Sequence, residues 1–376
     1  RPLKPGAAKP AKERCSECGL CDTSYIHYVK DACAFLNQQV SELESANHGR
    51  SRDLDNEDEL YFGVHQKMVA ARKLAPIDGA QWTGIESTLS IEMLNKGLVE
   101  GVVCVQNTED DRFQPMPVLA KTPEDIMAAR ENTPPQSGMK RVLVIGVGCQ
   151  IQALREVQDH LGLEKLYVLG MPCVDNVSRA GLQKFLDTTS KSPETVVAYE
   201  FMQDFQVHFK HENGWEEKVP FFGLKTNKLK DVFAPSCMSC FDYTNSLADI
   251  VVGYMGAPFG WQWIVVRNDT GAEMFDLLEG IIETQPVMSK GDRTQAVQNS
   301  IPAYDKGVTL PMWAAKLMGV VIEKIGPKGL EYARFSIDSH FTRNYLYTRR
   351  NHPEKLEAHV PEFAKRIVGQ YKLPEQ

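Results

Sequence analysis

Nine cysteines lie along this chain, and eight of them fall into two sets. The first is Cys15-Ser-Glu-Cys18-Gly-Leu-Cys21 followed by Cys33. The second is Cys149, Cys173 and the pair Cys237-Met-Ser-Cys240. Thiols spaced by two and two sit on one tight loop, where they reach three corners of a 4Fe–4S cube while a fourth arrives from elsewhere. Disulfides are the poorer account, because a chain of 376 residues with an odd cysteine count lacks the marks of a small secreted scaffold. Zinc is the stronger rival, but zinc sites join two cysteine pairs, or pairs with histidines, rather than presenting a triplet of this kind. Electron transfer through an iron–sulfur cluster is therefore the leading expectation.

The remaining composition is that of an ordinary globular protein, 43% hydrophobic and 24% charged, with ample apolar material for two or three domains. No run reaches the roughly 18 unbroken apolar residues of a membrane-spanning helix. The best candidate, residues 310–325, is interrupted by Lys316, Glu323 and Lys324 and reads as an amphipathic helix. The net charge of −7 is uneven: residues 1–14 carry +4 and residues 341–376 carry +3, leaving about −14 between them. Nucleic-acid binding is disfavoured by that balance. The basic termini read as solvated tails, with docking of an acidic electron carrier as their rarer use. The chain starts at Arg1, and no targeting conclusion is drawn from that end.

Residues 1–14, rich in proline and lysine, read as an extended arm before the first cysteine loop. A helix is expected over 34–44, a polar stretch to 59, a helix over 86–96 and a strand over 99–106 that holds Cys104 as a small buried thiol. Residues 141–146, 150–161 and 165–170 form the clearest unit, strand–helix–strand, a right-handed βαβ crossover. Gly146-Val-Gly148 at its first turn resembles a dinucleotide fingerprint, but Ile151 stands where the third glycine belongs, which disfavours that use. The turn suits a cluster better. Cys149 opens the helix and Cys173 follows the second strand, so both lie at the carboxyl ends of adjacent parallel strands, where α/β folds place their sites. A helix N-terminus favours negative charge and hence a thiolate. Cys237 and Cys240, in a loop, then close the set. Residues 195–222 read as antiparallel strands around Asn213-Gly214, 248–253 and 262–267 as further strands, and the chain from 310 onward as helical.

Several of these segments together resemble one family. They are Cys15 to Asp22, Gly146-Val-Gly-Cys149-Gln150, Pro172-Cys173-Val-Asp-Asn176, Pro235-Ser-Cys237-Met-Ser-Cys240-Phe-Asp242 and Ala248-Asp249 to Gly253. The chain resembles the β subunits of deazaflavin-coenzyme (coenzyme F420) hydrogenases and dehydrogenases, and within them the ferredoxin-dependent reductases of the chlorophyll pathway. The resemblance runs from about residue 9 to the C-terminus. It implies FAD and two 4Fe–4S clusters, with Cys15, Cys18, Cys21, Cys33, Cys149, Cys173, Cys237 and Cys240 as ligands; which fourth cysteine completes which cube is left open. For the flavin it implies Gly79 with Gln81, Trp82, Thr83, Gly84, Ser87 and Thr88, together with Asn245, Tyr254, Met255 and Gly256. A glycine- and threonine-rich turn opening a helix is a reasonable phosphate cradle, and equally an ordinary structural turn.

The fold expected is α/β: a mixed sheet with a βαβ core unit, an N-terminal ferredoxin-like iron–sulfur segment and a helical C-terminal region. Its expected divisions are 1–60, 61–268 and 269–376. The resemblance further implies reduced ferredoxin and a chlorophyll-type tetrapyrrole as partners, in the cytoplasm of a photosynthetic bacterium or in the chloroplast stroma, at or beside the thylakoid membrane. Self-association into a homo-oligomer is left open. The compact segment from Gly256 to Trp263 points to reduction of the 8-vinyl group of 3,8-divinyl (proto)chlorophyllide a. Reduction of 7-hydroxymethyl chlorophyll a is the alternative, and an electron-input subunit of a deazaflavin-dependent complex is a further one. Residues 131–140 depart from the family by their shortness. Tyr25, His27 and Asp242 flank the cysteine motifs, where structural roles are the simpler reading, and no proton donor is identified.

Overall fold

The computed structural model describes residues 39–77, 80, 82–107, 113, 115–128, 139–202, 204–302 and 309–374. Cys15, Cys18, Cys21 and Cys33, with Tyr25, His27, Gly79, Gln81 and most of the short 131–140 segment, lie outside the described residues.

An eight-stranded mixed sheet organises the molecule. In chain order its strands are β1 (Lys67–Lys73), β2 (Gly101–Asn107), β3 (Pro115–Ala120), β4 (Arg141–Val147) and β5 (Lys165–Met171). A separate three-stranded sheet, β6 (Val196–Phe201), β7 (Gln206–His211) and β8 (Glu216–Pro220), is inserted next. The main sheet resumes with β9 (Ile250–Gly253), β10 (Gln262–Val266) and β11 (Ile282–Pro286). The spatial order is β11-β1-β10-β9-β5-β4-β2-β3. Its centre, β2-β4-β5-β9, is parallel, and the strands on either side are antiparallel. The βαβ unit is present as expected, with β4 and β5 in register from Arg141↔Lys165 to Val147↔Met171 around the helix Gly148–Val157.

Both faces of this sheet are covered, which the near-continuous apolar runs of its central strands require. Because successive side chains alternate, Val168, Val251, Trp263 and Val265 enter one core. Leu169, Ile250, Val252, Ile264 and Val266 enter the other. The first face is packed by the long helix Leu330–Asn351 through Ala333, Ile337 and Phe341, and by the helix Glu362–Val368. Helix Ile85–Asn95 covers the second through Ile85, Leu89 and Met93. Elements after residue 268 thus share the core with those before it: β11 is the edge strand beside β1.

The small sheet is the antiparallel unit read at 195–222, turning at Gly214 with φ 80°. The stretch read as polar up to residue 59 instead contains the helix Glu57–Phe62, begun by Asn56, whose carbonyl Oδ1 accepts from the N–H groups of Asp58 and Glu59. Cys104, in β2, is half-buried beside the second core, and burial raises its thiol. Among the described residues no helix is long and apolar enough to cross a membrane.

One histidine gives the fold a measurable acid limb. His48 donates through Nε2–H to the carbonyl of Ser246 at 2.9 Å, and its Nδ1 accepts from Asn268 Nδ2 at 3.2 Å. Burial first, and the Arg267 charge second, lower it to about 4. The folded chain therefore resists a proton that the unfolded chain accepts below pH 6.5. Its contribution is complete above pH 6.5 and is lost as pH falls towards 4, at about 1.4 kcal/mol per unit and about 2 kcal/mol in all once partial exposure is allowed for. Urea midpoints measured from pH 7 to pH 4 should fall less steeply in His48→Gln than in the wild type; parallel profiles would refute this origin.

Candidate functional site

The carboxyl edge of the parallel strands gathers the second cysteine set. Cys149 stands in the first turn of helix Gly148–Val157 directly after β4, and Cys173 follows the end of β5. Cys237 and Cys240 bracket one turn of 3-10 helix, Cys237–Ser239. The four thiols share one neighbourhood: Cys149 and Cys173 both feel Cys237, while Cys240 feels Cys149 and Cys173. All four are free thiols. Among the described residues no three His, Cys, Asp or Glu side chains are drawn tightly enough to chelate a single metal ion. A cubane makes a different demand, since it takes one thiolate at each of four irons.

The strand ends are fastened by Asn245, whose Nδ2 donates to the carbonyls of Gly146 at 2.8 Å and Met171 at 3.3 Å. Glycine makes the space for this: a Cβ on Gly170 would lie 2.7 Å from the Asn245 side chain, and one on Gly148 would lie 2.3 Å from Asp242 Oδ2. The cysteine turn is held from the opposite side by the long helix. Asn344 Nδ2 donates to the carbonyls of Cys237 at 2.9 Å and Cys240 at 2.7 Å. Arg343 makes a bidentate pair with Asp175, at 2.8 and 2.9 Å, just beyond Cys173. His359 Nε2–H donates to the carbonyl of Ser239 at 2.7 Å. None of these three supports was visible in the sequence; Asn344 is 107 residues from Cys237 and no spacing rule joins them.

Protonation at this edge differs from the expectation that the helix terminus favours a thiolate at Cys149. Backbone N–H groups at the terminus do lower the Cys149 thiol, but burial, then the neighbouring Cys237 and Asp242, outweigh them and push it up to about 11. Cys173 is pushed up to about 12, again chiefly by burial, and burial also raises Cys237 and Cys240. Without metal these are neutral thiols at pH 7, and loading such a site releases protons.

A second group of expected residues lies across β1 and β10. Trp82 at φ 59° and Gly84 at φ 83° turn the chain into helix Ile85–Asn95, whose N-terminus no side chain caps. Thr83 Oγ1 donates to Gln262 Oε1 and accepts from the Lys73 N–H, both at 3.2 Å, which ties the loop to the sheet. Ser87 is half-buried, and Thr88 Oγ1 is buried with no hydrogen-bond partner. Asn245, at φ 54°, likewise keeps a buried Oδ1 without a donor. Two orphaned polar atoms in the expected segments are the kind of vacancy that a bound polar group satisfies. Glu86, in the first turn of the same helix, is raised by burial to about 7, so it exchanges a proton near neutrality.

Trp82 stacks on Tyr254 with ring centroids 5.3 Å apart and planes at 18°, so the segments around 82–88 and 254–256 meet. Met255 is buried in the first core. Gly256, at φ 77°, lies against the next element so closely that a Cβ would sit 2.1 Å from the carbonyl oxygen of Gly329. From Tyr254 the aromatic contact continues to Tyr332 at 6.1 Å. Ser336, whose Oγ donates to the Tyr332 backbone carbonyl at 3.1 Å, lies beside both the Tyr332 and the Tyr243 phenols, and the Tyr243 carbonyl accepts from the Cys173 N–H at 3.1 Å. A file of half-buried aromatic side chains, Trp82, Tyr254 and Tyr332, thus runs from the Trp82 loop towards the buried Tyr243 at the cysteine edge. Tyr243 and Tyr332 were missed in the sequence, where lone tyrosines carry no signal.

Comparison with known proteins shows the family. Residues 68–143 match the family model described as "Coenzyme F420 hydrogenase/dehydrogenase, beta subunit N-term", and residues 139–290 match the one for its C terminus. The chain belongs to this family. It is 76% identical over 385 residues to an uncharacterized protein of Nostoc sp., covering 99% of this chain and 97% of that one. It is 49% identical over 400 residues to the chloroplastic 7-hydroxymethyl chlorophyll a reductase of Oryza sativa subsp. japonica, covering 98% of this chain and 85% of that one. Coenzyme F420 hydrogenase subunit beta of Methanosarcina barkeri is 30% identical over 252 residues, which covers 60% of this chain and 84% of that one. A chain of the F420-reducing [NiFe] hydrogenase complex from the same organism shares the mixed α/β fold, with a TM-score of 0.52 and 26% identity over 71% of this chain and 91% of that chain.

Proposed function

We propose that this protein is a ferredoxin-dependent iron–sulfur flavoprotein that reduces one substituent on the C7–C8 edge of a chlorophyll-type tetrapyrrole. The observation that carries the reading is the 49% likeness, along nearly the whole chain, to a protein named for reducing 7-hydroxymethyl chlorophyll a. In this reading Cys149, Cys173, Cys237 and Cys240 hold one 4Fe–4S cluster, and Cys15, Cys18, Cys21 and Cys33 hold the other. Residues 81–88, Asn245 and 254–256 hold FAD. When bound, the clusters pass single electrons and the flavin supplies a hydride equivalent.

The chain's own part is placement and exclusion. Four thiols converge at one sheet edge, which suits the donor set of a cube, and Asn245, Asn344 and Arg343 fix the segments that carry them. Thr88 Oγ1 and Asn245 Oδ1 are unpaired polar atoms available to a flavin. Tyr243, buried, and Tyr254 and Tyr332, half-buried, are neutral phenols raised by burial that fill the space between the two groups.

Two substituents on adjacent carbons compete as the target. The rice relative favours the 7-hydroxymethyl group, and this displaces the 8-vinyl group as the better supported reading. The compact segment from Gly256 to Trp263 is what still speaks for the vinyl group. An electron-input role inside a larger complex is the third reading, drawn from the hydrogenase relatives. An anaerobic assay of the isolated chain with reduced ferredoxin, run side by side on 7-hydroxymethyl chlorophyll a and 3,8-divinyl chlorophyllide a, tests all three. Turnover of one pigment names the substrate; turnover of neither, by protein carrying its clusters and flavin, would sink the reductase proposal and leave the subunit role.

A further inference from the structure

The helix Met312–Ile325 is built inside out. Its buried positions are Ala315 and Gly319, one turn apart, and they let it lie close against Phe205 and Gly223. The large apolar side chains face away from the protein: Trp313 is 74% exposed, Leu317 58% and Ile325 80%, with Met318, Val320 and Val321 also exposed. At 1.5 Å per residue this ridge runs about 21 Å. A folded chain rarely leaves so continuous an apolar strip in water without a use for it.

The surroundings select what covers it. Lys316 and Lys324 lie on the helix itself, which carries Glu323 as its single acid. Its N-terminal approach is bonded to the segment holding exposed Lys225 and Lys228: the Leu310 N–H donates to the Phe222 carbonyl at 2.8 Å, and Thr309 Oγ1 donates to the Leu224 carbonyl at 3.1 Å. Apolar side chains with a tryptophan at one end, Lys316 at the margin, and Lys324 within the strip at its far end, where its long side chain can reach up to headgroups, are the pattern of a helix lying in the interface of a bilayer with anionic headgroups. A second copy of this chain is the worse cover, because the face carries two lysines against one acid and adjoins Lys225 and Lys228, so pairing two copies sets net positive charge against net positive charge. The helix also leads to the candidate site. Gly326 ends it, and three residues on, the Gly329 carbonyl packs against Gly256 beside Tyr254 and Met255.

We propose that the Met312–Ile325 face binds anionic lipid bilayers as a peripheral, non-spanning anchor. The binding requires neither cofactor nor pigment, so it stands or falls separately from the reductase reading. The test is flotation of the full-length purified protein with vesicles of phosphatidylcholine alone or mixed with phosphatidylglycerol. The wild type should float with the mixed vesicles, and each of Lys316→Gln and Lys324→Gln should weaken that binding about fivefold. Leu317→Asp combined with Val321→Asp should abolish it while circular dichroism stays unchanged, since both positions are exposed. On binding, Trp313 should give a blue-shifted emission that Trp313→Phe removes. Three results would overturn the proposal: no flotation of the wild type, equal flotation of the doubly substituted chain, or loss in that variant of a concentration-dependent dimer with flotation unaltered.

Discussion

Serine in place of Cys237 or Cys240 is expected to lower the iron of the anaerobically purified protein from about eight per chain to about four. On the proposed reading it should also cut ferredoxin-driven turnover more than roughly a hundredfold, beyond what loss of a supporting residue around a metal does. The expectation rests on convergence. Cys237 and Cys240 lie on a single turn whose carbonyls are both held by Asn344, and they meet thiols from the ends of β4 and β5. A serine hydroxyl gives a poor iron ligand at the same place with almost the same bulk, so the fold should survive while the cluster does not. Cys104→Ser is the internal control: it sits in β2, packed at the edge of the second core, and its loss should leave iron untouched. Iron analysis and low-temperature electron paramagnetic resonance decide the matter. Unchanged iron and an unchanged reduced-cluster signal in both substituted proteins would remove the second cysteine set from the account.

That site was legible in the sequence to the extent that its parts are local. Strand–helix–strand periodicity placed Cys149 and Cys173 at neighbouring strand ends because a parallel crossover fixes direction and hand together. The C-x2-C spacing placed Cys237 and Cys240 on one turn. What could not be read is everything that arrives from a distance. Asn344 reaches the cysteine turn, and Arg343 reaches Asp175 beyond Cys173, because the long helix crosses the first face of the sheet, while His359 reaches Ser239 from the short helix Leu356–His359 that follows it. The same crossing brings Tyr332 beside Tyr254 and so closes the aromatic file. The charge state at Cys149 was misjudged for a related reason. A helix terminus is visible in a sequence, whereas the burial that outweighs it depends on what the rest of the chain stacks on top. The edge position of β11 has the same origin, since antiparallel pairing to β1 joins segments some two hundred residues apart.

The helix that holds the cysteine turn is itself held at Asp338, and Asp338→Ala is expected to cost about 3–5 kcal/mol. Asp338 is fully buried. Its carboxylate accepts from Tyr61 Oη at 2.8 Å, Tyr371 Oη at 2.7 Å and Arg293 Nε at 2.8 Å. Alanine removes the common acceptor and strands two phenols and part of a guanidinium in the interior, where each unmade hydrogen bond costs on the order of 1–3 kcal/mol. Arg293 keeps Glu331 at 2.7 Å and Glu57 at 3.2 Å, which limits the loss and sets the upper end of the range. Asp338→Asn retains an acceptor of the same shape and should cost less than half as much. The network ties three distant pieces together, helix Glu57–Phe62, helix Leu330–Asn351 and the C-terminal Tyr371. Asn344 lies six residues beyond Asp338 on the same helix, so the damage should reach the cysteine turn as well. Urea denaturation should show the lowered midpoint in Asp338→Ala. Oxygen-induced bleaching of the cluster should run faster in that variant than in Asp338→Asn or the wild type. An unfolding free energy within about 0.5 kcal/mol of the wild type, the range of ordinary surface changes, would mean that the helix is held by its apolar face alone.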